Sequence, residues 1–235
     1  MSNFTDFDVL ERDDRVNLYY TNNVDEIKKA DIILLPGSKS TIDDLYELRR
    51  NGVAQAILRA NREGATVMGI CGGYQMMGKM IYDPDGVEGK IPSMPGLGLL
   101  PMETTMSGEK ITRQTTFEFL AENAPAGMSA CTGYEIHMGR TVPCEGVEAA
   151  PLAKLADGRL DGYISTHRCC GTYLHGILDN IQVIDWLIRP YTDRAASLEV
   201  MDYPAFKEKQ YDLLADHVRA HFNMPLLYEI LSTDR

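Results

Sequence analysis

The stretch TVMGICGGYQMMG, residues 66–78, joins an apolar run to a helix-like segment through a turn that holds Cys71 between glycines. The apolar run is typical of a buried strand, and CGGYQMMGKMI, residues 71–81, predicts a helix. A strand that enters a helix in this way is the repeating unit of a mostly parallel sheet with helices on its faces. The stretch therefore predicts an α/β fold.

The same rhythm of strand and helix occurs upstream. Residues 32–35 form an apolar run that ends in the turn PGSKS, and helical stretches follow over 41–52 and again over 53–64. In a parallel sheet, ligands bind at the carboxyl ends of the strands. We therefore expect the PGSKS and GICGG turns to face one site.

The middle of the chain has a different character. Residues 83–105 are rich in glycine and proline, and KITRQTTFEF (110–119) and TGYEIHMGRT (132–141) favour β-structure. We expect these two segments to add antiparallel strands to the parallel core. The sequence contains no internal repeat or low-complexity linker, so residues 1–235 are expected to form a single domain.

Composition excludes several classes of protein. The chain has 23 Lys and Arg against 34 Asp and Glu, a net charge of −11, which disfavours a nucleic-acid surface. No apolar run approaches the roughly 18 residues of a membrane span. Five irregularly spaced cysteines without a signal peptide indicate a reducing, cytoplasmic compartment. Cys169 and Cys170 lack a CxxC pair, so no metal site is expected.

Cys71 has the surroundings of a nucleophile. The GxCxG pattern of Gly69, Cys71 and Gly73 is the cysteine counterpart of the strand-turn-helix elbow that exposes a catalytic serine. Small flanking residues let the strand and helix approach, and the start of a helix favours a thiolate. The amide of Gly72 would face an oxyanion. The alternative is that Cys71 is a small buried apolar residue, and the spacing alone leaves both interpretations open.

A nucleophilic cysteine needs a base, and the chain offers five histidines. His175 lies between glycines in GTYLHGIL and is the best placed to enter a cleft. His137, in GYEIHMG, is the second candidate.

Several motifs together carry a resemblance to a known family. In chain order they are SNFTDFD, PGSKSTIDDL, GICGGYQMMG, GLGLLP, GYEIHMGRT, GTYLHGI and FKEKQYDLLADHVRAHFNMPLLYEIL. They resemble class I glutamine amidotransferase domains in the form that cobyric acid synthases carry. The resemblance covers nearly the whole chain, and it implies the mostly parallel, flavodoxin-like fold of that class with added antiparallel strands.

The resemblance implies a role for individual residues. Cys71 matches the nucleophile that attacks the carboxamide of glutamine and forms a thioester, and His175 matches its proton-transfer partner. Gly37 and Gly72 match the oxyanion-hole positions. Gln75 matches a glutamine-contacting position, with the alternative that it is simply a polar residue near a helix start.

The chain departs from the broader class at the position two residues after the histidine. Many members have a glutamate two residues after it, where this chain has Ile177, so the resemblance implies a Cys-His dyad. Glu135 is a candidate to orient His175, although an acidic residue in an antiparallel strand could equally form a salt bridge or contact substrate. Without a carboxylate behind the imidazole, slow glutamine hydrolysis is expected.

The resemblance also implies partners and a pathway. The family has an N-terminal ATP-dependent synthetase domain, and no GxxxxGK[ST] loop occurs here, so we expect that domain, with its ATP and Mg²⁺, to lie outside this chain. No cofactor is expected within the chain. The ammonia would amidate carboxylates of a corrinoid, cobyrinic acid a,c-diamide, in cobalamin biosynthesis. The alternatives are an amidotransferase subunit for a cell-wall lipid intermediate, another cysteine hydrolase on a similar sheet, and a catalytically silent docking module.

Overall fold

A computed structural model of the protein describes residues 4–122, 130–194 and 203–233. Its strands are β1 (Ile32–Leu35), β2 (Thr66–Ile70), β3 (Met80–Tyr82), β4 (Ser93–Pro95), β5 (Met102–Phe119), β6 (Cys131–Pro143), β7 (Ala153–Leu155), β8 (Leu160–Asp161), β9 (Tyr163–Thr166), β10 (Cys169–Thr172) and β11 (Leu174–His175). Its α-helices are α1 (Val24–Ile27), α2 (Thr41–Arg50), α3 (Val53–Glu63), α4 (Gly72–Met77), α5 (Ile181–Ile188), α6 (Tyr203–His221) and α7 (Met224–Thr233).

The parallel part of the fold is a four-stranded sheet in the order β1-β2-β10-β9. Strands β1, β2 and β10 run parallel, and β9 is antiparallel to β10. Strand β2 is buried along its whole length, as its largely apolar sequence predicts. The turns that follow β1 and β2 therefore lie side by side at one edge of this sheet, as the sequence predicts.

The antiparallel part is a second sheet in the order β11-β6-β5-β3-β4, with β7 and β8 added beside β5. Strands β5 and β6 pair over most of their length, which confirms the antiparallel segments expected from the sequence. The short strand β11 pairs with β6 and places Leu174 opposite Glu135 and His175 opposite Tyr134. The carbonyl of Thr172, just before β11, accepts the Cys71 amide at 2.8 Å, so β11 lies beside the turn that follows β2.

Helices α2 and α3 bury apolar side chains at helical spacing and belong to the same apolar core as β1 and β2. The helix expected over residues 71–81 is shorter than predicted, because α4 ends at Met77 and Met80–Tyr82 is strand β3. The Lys79 amide bonds to the Met102 carbonyl at 2.7 Å, so pairing with β5 ends the helix. Together these elements confirm an α/β fold with parallel and antiparallel strands flanked by helices.

The chain forms two compact units, residues 1–196 and 197–235. The larger unit carries both sheets, and the smaller one carries α6 and α7. The expectation that residues 1–235 act as one domain stays a prediction. Across the described ranges, every helix is too short or too polar to cross a bilayer.

Candidate active site

The turn between β2 and α4 has the backbone of a nucleophile elbow. Cys71 has φ 53° and ψ −112°, and it is the one non-glycine residue with positive φ in the described part of the chain. A Cβ on Gly73 would lie 2.0 Å from the Leu35 carbonyl oxygen, and a Cβ on Gly69 would lie 2.6 Å from the Tyr74 amide nitrogen. The two glycines are therefore required by the close approach of strand and helix, as the sequence predicts.

The PGSKS turn lies directly against this elbow. A Cβ on Gly72 would come within 2.7 Å of the Ser38 amide nitrogen, and Ser38 follows the buried Gly37. The two predicted oxyanion positions, Gly37 and Gly72, thus belong to turns that touch. Glu88 fixes the start of α2 beyond this turn, since its carboxylate accepts bonds from the Thr41 amide at 2.6 Å and from the Thr41 hydroxyl at 3.0 Å.

Cys71 and His175 meet at the junction of the two sheets. The Cys71 amide donates to the Thr172 carbonyl at 2.8 Å, three residues before His175. The Cys71 sulfur lies 3.5 Å from the Ile136 carbonyl oxygen on β6. His175 is fully buried, hydrogen-bonds to Cys71, and stacks against the ring of Tyr134 with 5.1 Å between ring centroids. The structure therefore brings the predicted nucleophile and base together.

A carboxylate stands behind the His175 imidazole, and it belongs to Asp6. Its Oδ2 atom lies 2.7 Å from His175 Nδ1, and its Oδ1 atom accepts the Gly176 amide at 3.0 Å. Burial lowers the pKa of His175, but hydrogen bonds and charge interactions with Asp6 and Cys71 outweigh burial and raise it to about 9. At neutral pH the imidazole is therefore held near the Cys71 sulfur in its charged form, with a proton on both ring nitrogens.

The sequence suggests Glu135 as a candidate to orient His175, but in the structure the Glu135 carboxylate lies away from the imidazole. Because β11 pairs Leu174 with Glu135, the Glu135 side chain projects from the opposite face of the sheet to His175. Its carboxylate binds the Arg159 guanidinium at 2.5 and 3.1 Å. Burial raises the pKa of Glu135, but the neighbouring His137 and Arg159 outweigh burial and hold it at about 2.

Gln75 is buried in the wall of the site with its amide group bound by the protein. Its Nε2 atom donates to the Met138 carbonyl at 2.9 Å and to the Tyr173 hydroxyl at 3.1 Å. Its Oε1 atom accepts from the Thr41 hydroxyl at 3.1 Å. These bonds tie α4 to β6 beside Cys71, so Gln75 shapes the site, and a contact between Gln75 and glutamine stays a prediction.

His137, the second candidate base, lies in the wall beside Gln75. Its ring stacks on Tyr173 with 3.8 Å between centroids, and its Nε2 atom is 3.7 Å from Glu135 Oε1, too far for a hydrogen bond. The Cys71 side chain is hydrogen-bonded to His175 rather than to His137. Among the described residues, no group of three or more His, Cys, Asp or Glu side chains is arranged to hold a metal ion.

Asp6 is the residue beside His175 that sequence reasoning missed. It lies 169 positions from His175 in the chain, and no local spacing connects the two. The available signal was the SNFTDFD segment, one of the motifs that carry the family resemblance.

Comparisons with known proteins identify the family of this chain. Residues 1–183 match the family described as the CobB/CobQ-like glutamine amidotransferase domain. Proteins named cobyric acid synthase from Bacteroides fragilis and Phocaeicola vulgatus are 64% and 63% identical to this chain over 232 residues, which is 99% of this chain and 46% of each relative. The chain thus spans about half the length of these curated relatives. A crystal structure described as a glutamine amidotransferase superposes with a TM-score of 0.56 and 17% identity, over 80% of this chain and 93% of that one, which supports the fold.

Proposed function

The chain belongs to the family of CobB/CobQ-like glutamine amidotransferase domains, and from this premise we propose that it is the glutamine-hydrolysing part of a cobyric acid synthase. The observation that carries the proposal is the pairing of Cys71 on a strained elbow with the buried His175. It is therefore an enzyme of the glutamine amidotransferase type, with Cys71 as nucleophile and His175 as proton carrier.

The first half of the proposed reaction forms a thioester. The Cys71 thiolate attacks the side-chain carboxamide carbon of glutamine, and the carbonyl oxygen becomes an oxyanion. The amides of Gly72 and of the Gly37 turn are the proposed donors to that oxygen, since the two turns touch. When the carbon–nitrogen bond breaks, His175 gives its proton to the leaving nitrogen and ammonia departs. A His175 pKa of about 9 supports this step, because the imidazole holds that proton at neutral pH.

The second half returns the enzyme to its starting state. Water attacks the thioester carbon while His175 accepts one of its protons. The carbon–sulfur bond breaks, glutamate leaves, and the proton on His175 restores the starting thiolate–imidazolium pair. Atoms balance, because one water and one glutamine give one glutamate and one ammonia.

The fate of the ammonia is proposed from the relatives. Proteins named cobyric acid synthase are about twice as long as this chain. We place the ATP- and Mg²⁺-dependent synthetase reaction in the part of such a protein that this chain does not cover. There, carboxylates of cobyrinic acid a,c-diamide would be activated and amidated by the ammonia released at Cys71.

The experiment is ammonia and glutamate release from glutamine by the purified chain and its variants. We expect Cys71→Ala to abolish release and His175→Asn to lower it by about 100-fold or more, the usual size of a general acid–base contribution. Cys144→Ala is the matched control, because Cys144 is also a free cysteine but lies half-buried just after the end of β6. Release that persists in Cys71→Ala would overturn the mechanism. Hydrolysis of peptides instead of glutamine would favour a different cysteine hydrolase.

A further inference from the structure

We propose that Asp6 is the positioning residue of this site: its carboxylate holds the His175 imidazole in the tautomer and orientation that present Nε2 to the Cys71 sulfur. This inference rests on the proposed function and deepens it, because it replaces the expected dyad by a Cys-His-Asp arrangement. The third residue comes from the start of the chain, far in sequence from the position after the histidine, which is Ile177.

The geometry of the carboxylate supports this role. One oxygen of Asp6 is 2.7 Å from His175 Nδ1, and the other accepts the amide of Gly176 at 3.0 Å. A carboxylate only accepts hydrogen bonds, so Nδ1 must carry the hydrogen and Nε2 is left to exchange a proton with sulfur. Two bonds to adjacent residues fix both the ring and the backbone that carries it.

Burial makes these bonds strong and specific. The side chains of His175 and Asp6 are 0% and 2% exposed. In such surroundings water does not compete for the carboxylate, and a hydrogen bond to a charged group is worth about 1.5–3 kcal/mol. The ring of Tyr134 covers one face of the imidazole at an interplanar angle of 19°, which restricts the imidazole further.

The segment that carries Asp6 is itself anchored. Asp6 lies in a 3-10 turn, Phe4–Phe7, and the apolar side chains of Phe7, Val9 and Leu10 that follow are buried. Beyond them, Asp13 forms a buried ion pair with Arg15 at 2.6 Å. Arg15 also reaches Asp185 on α5 at 2.6 Å, which binds the segment to the body of the larger unit. The segment that carries Asp6 is therefore held in place by packing and by ion pairs.

The other charged and titratable groups described near His175 have positions that differ from that of Asp6 at Nδ1. Cys71 faces the ring as the nucleophile, and Tyr134 from β6 stacks on its face. Asp179 lies beyond Gly176, where a Cβ on that glycine would be 3.6 Å from its carboxylate. Glu135 is bound to Arg159 and projects from the other face of β6. Asp6 is the carboxylate that meets Nδ1.

The test compares Asp6→Asn with Asp6→Glu and with Asp8→Asn, a matched control that removes the same charge two residues away. In glutamine hydrolysis, we expect Asp6→Asn to lower kcat by about 100-fold or more with little change in KM. Asp6→Glu should recover part of the rate. Asp8→Asn should stay within about 2-fold of the wild type, because the bonds to His175 and Gly176 come from Asp6.

Two readouts separate positioning from a general loss of structure. The first is the rate of Cys71 alkylation by iodoacetamide, measured from pH 5 to 10. The pH at the midpoint of this profile should shift in Asp6→Asn and stay unchanged in Asp8→Asn. In the wild type, ¹H–¹⁵N spectra of His175 should give the Nδ1–H tautomer once the ring is neutral. The spectral test needs no variant, so it holds even where Asp6→Asn fails to fold.

The outcomes distinguish the inference from the proposed function. Equal kcat values and alkylation profiles for Asp6→Asn and Asp8→Asn, or an Nε2–H tautomer in the wild type, would overturn the role of Asp6. Absence of ammonia release from the wild type would overturn the proposed function instead. The alkylation and spectral readouts would still decide the role of Asp6, because neither requires glutamine turnover.

Discussion

Cys71 is held in a backbone conformation that a residue with a side chain rarely adopts. Its φ of 53° combined with ψ of −112° costs on the order of 1–3 kcal/mol, which the surrounding packing must offset. The packing that does so runs through glycines. Among the elbow glycines, Gly73 has the closest approach, to the carbonyl oxygen of Leu35 at the end of β1.

Gly73→Ala tests this packing. The added Cβ would lie 2.0 Å from a backbone oxygen that no side-chain rotation can move, so the elbow or β1 must shift. We expect a loss of about 1–3 kcal/mol or more in the free energy of unfolding, and loss of glutamine hydrolysis. Gly108→Ala is the control, because nothing lies within 4 Å of its added Cβ. Equal stability and activity in the two variants would contradict the structural role of Gly73.

At the residue scale, the sequence singles out Cys71, His175 and the elbow glycines as candidates, because each lies in a short motif with a local physical reason. Asp6 had no such reason, since its partner is 169 positions away and the chain contains 34 acidic residues. The expectation of slow hydrolysis assumed that no carboxylate stands behind His175. Asp6 removes the physical basis of that expectation, and the rate itself stays to be measured.

At the scale of single elements, strand alternation explains why Glu135 was the wrong candidate. Neighbouring residues of a strand project to opposite faces, so β6 can present only one of Tyr134 and Glu135 to His175. The register with β11 gives that place to Tyr134. A one-residue difference in register would have exchanged them, and the sequence alone does not fix the register of a two-residue strand such as β11.

Gln75 links α4 to β6 through its side-chain amide, and a substitution that removes this amide tests the link. Gln75→Met keeps the length of the side chain but removes the amide that donates to the part-buried Met138 carbonyl and to the buried Tyr173 hydroxyl. We expect the free energy of unfolding to fall by about 1–3 kcal/mol, since a buried acceptor loses its partner. The measurement is urea unfolding, with Gln114→Met on the exposed part of β5 as control. A variant as stable as its control would show that the link contributes nothing.

At the scale of the whole molecule, the sequence predicted the parallel core well and the second sheet less completely. Buried apolar strands followed by glycine turns have a strong local pattern, which β1 and β2 follow. The antiparallel sheet depends on long-range pairing between β5, β6 and β11, which no single window of sequence encodes. The same pairing brings His175 to the elbow, so the site is a property of both sheets together.

The stability of the folded chain should depend on pH through His175. Its ordinary pKa of 6.5 rises to about 9 in the folded protein, so the native state binds more protons between these values. The stabilising contribution of the charged imidazole is therefore complete below pH 6.5 and is lost as the pH rises through about 9. We expect the difference in unfolding free energy between the wild type and His175→Asn to shrink over that interval. A difference that is constant or grows with pH would contradict the charged interaction with Asp6 and Cys71.

The most direct test of the central claim is the site of covalent modification by an electrophilic glutamine analogue. After labelling and proteolysis, peptide mass spectrometry should find the added mass on the peptide that contains Cys71. Excess glutamine should prevent the label, and Cys71→Ala should carry none. A label on another of the five cysteines, or glutamine hydrolysis that continues with Cys71 fully modified, would contradict the assignment of Cys71 as the nucleophile.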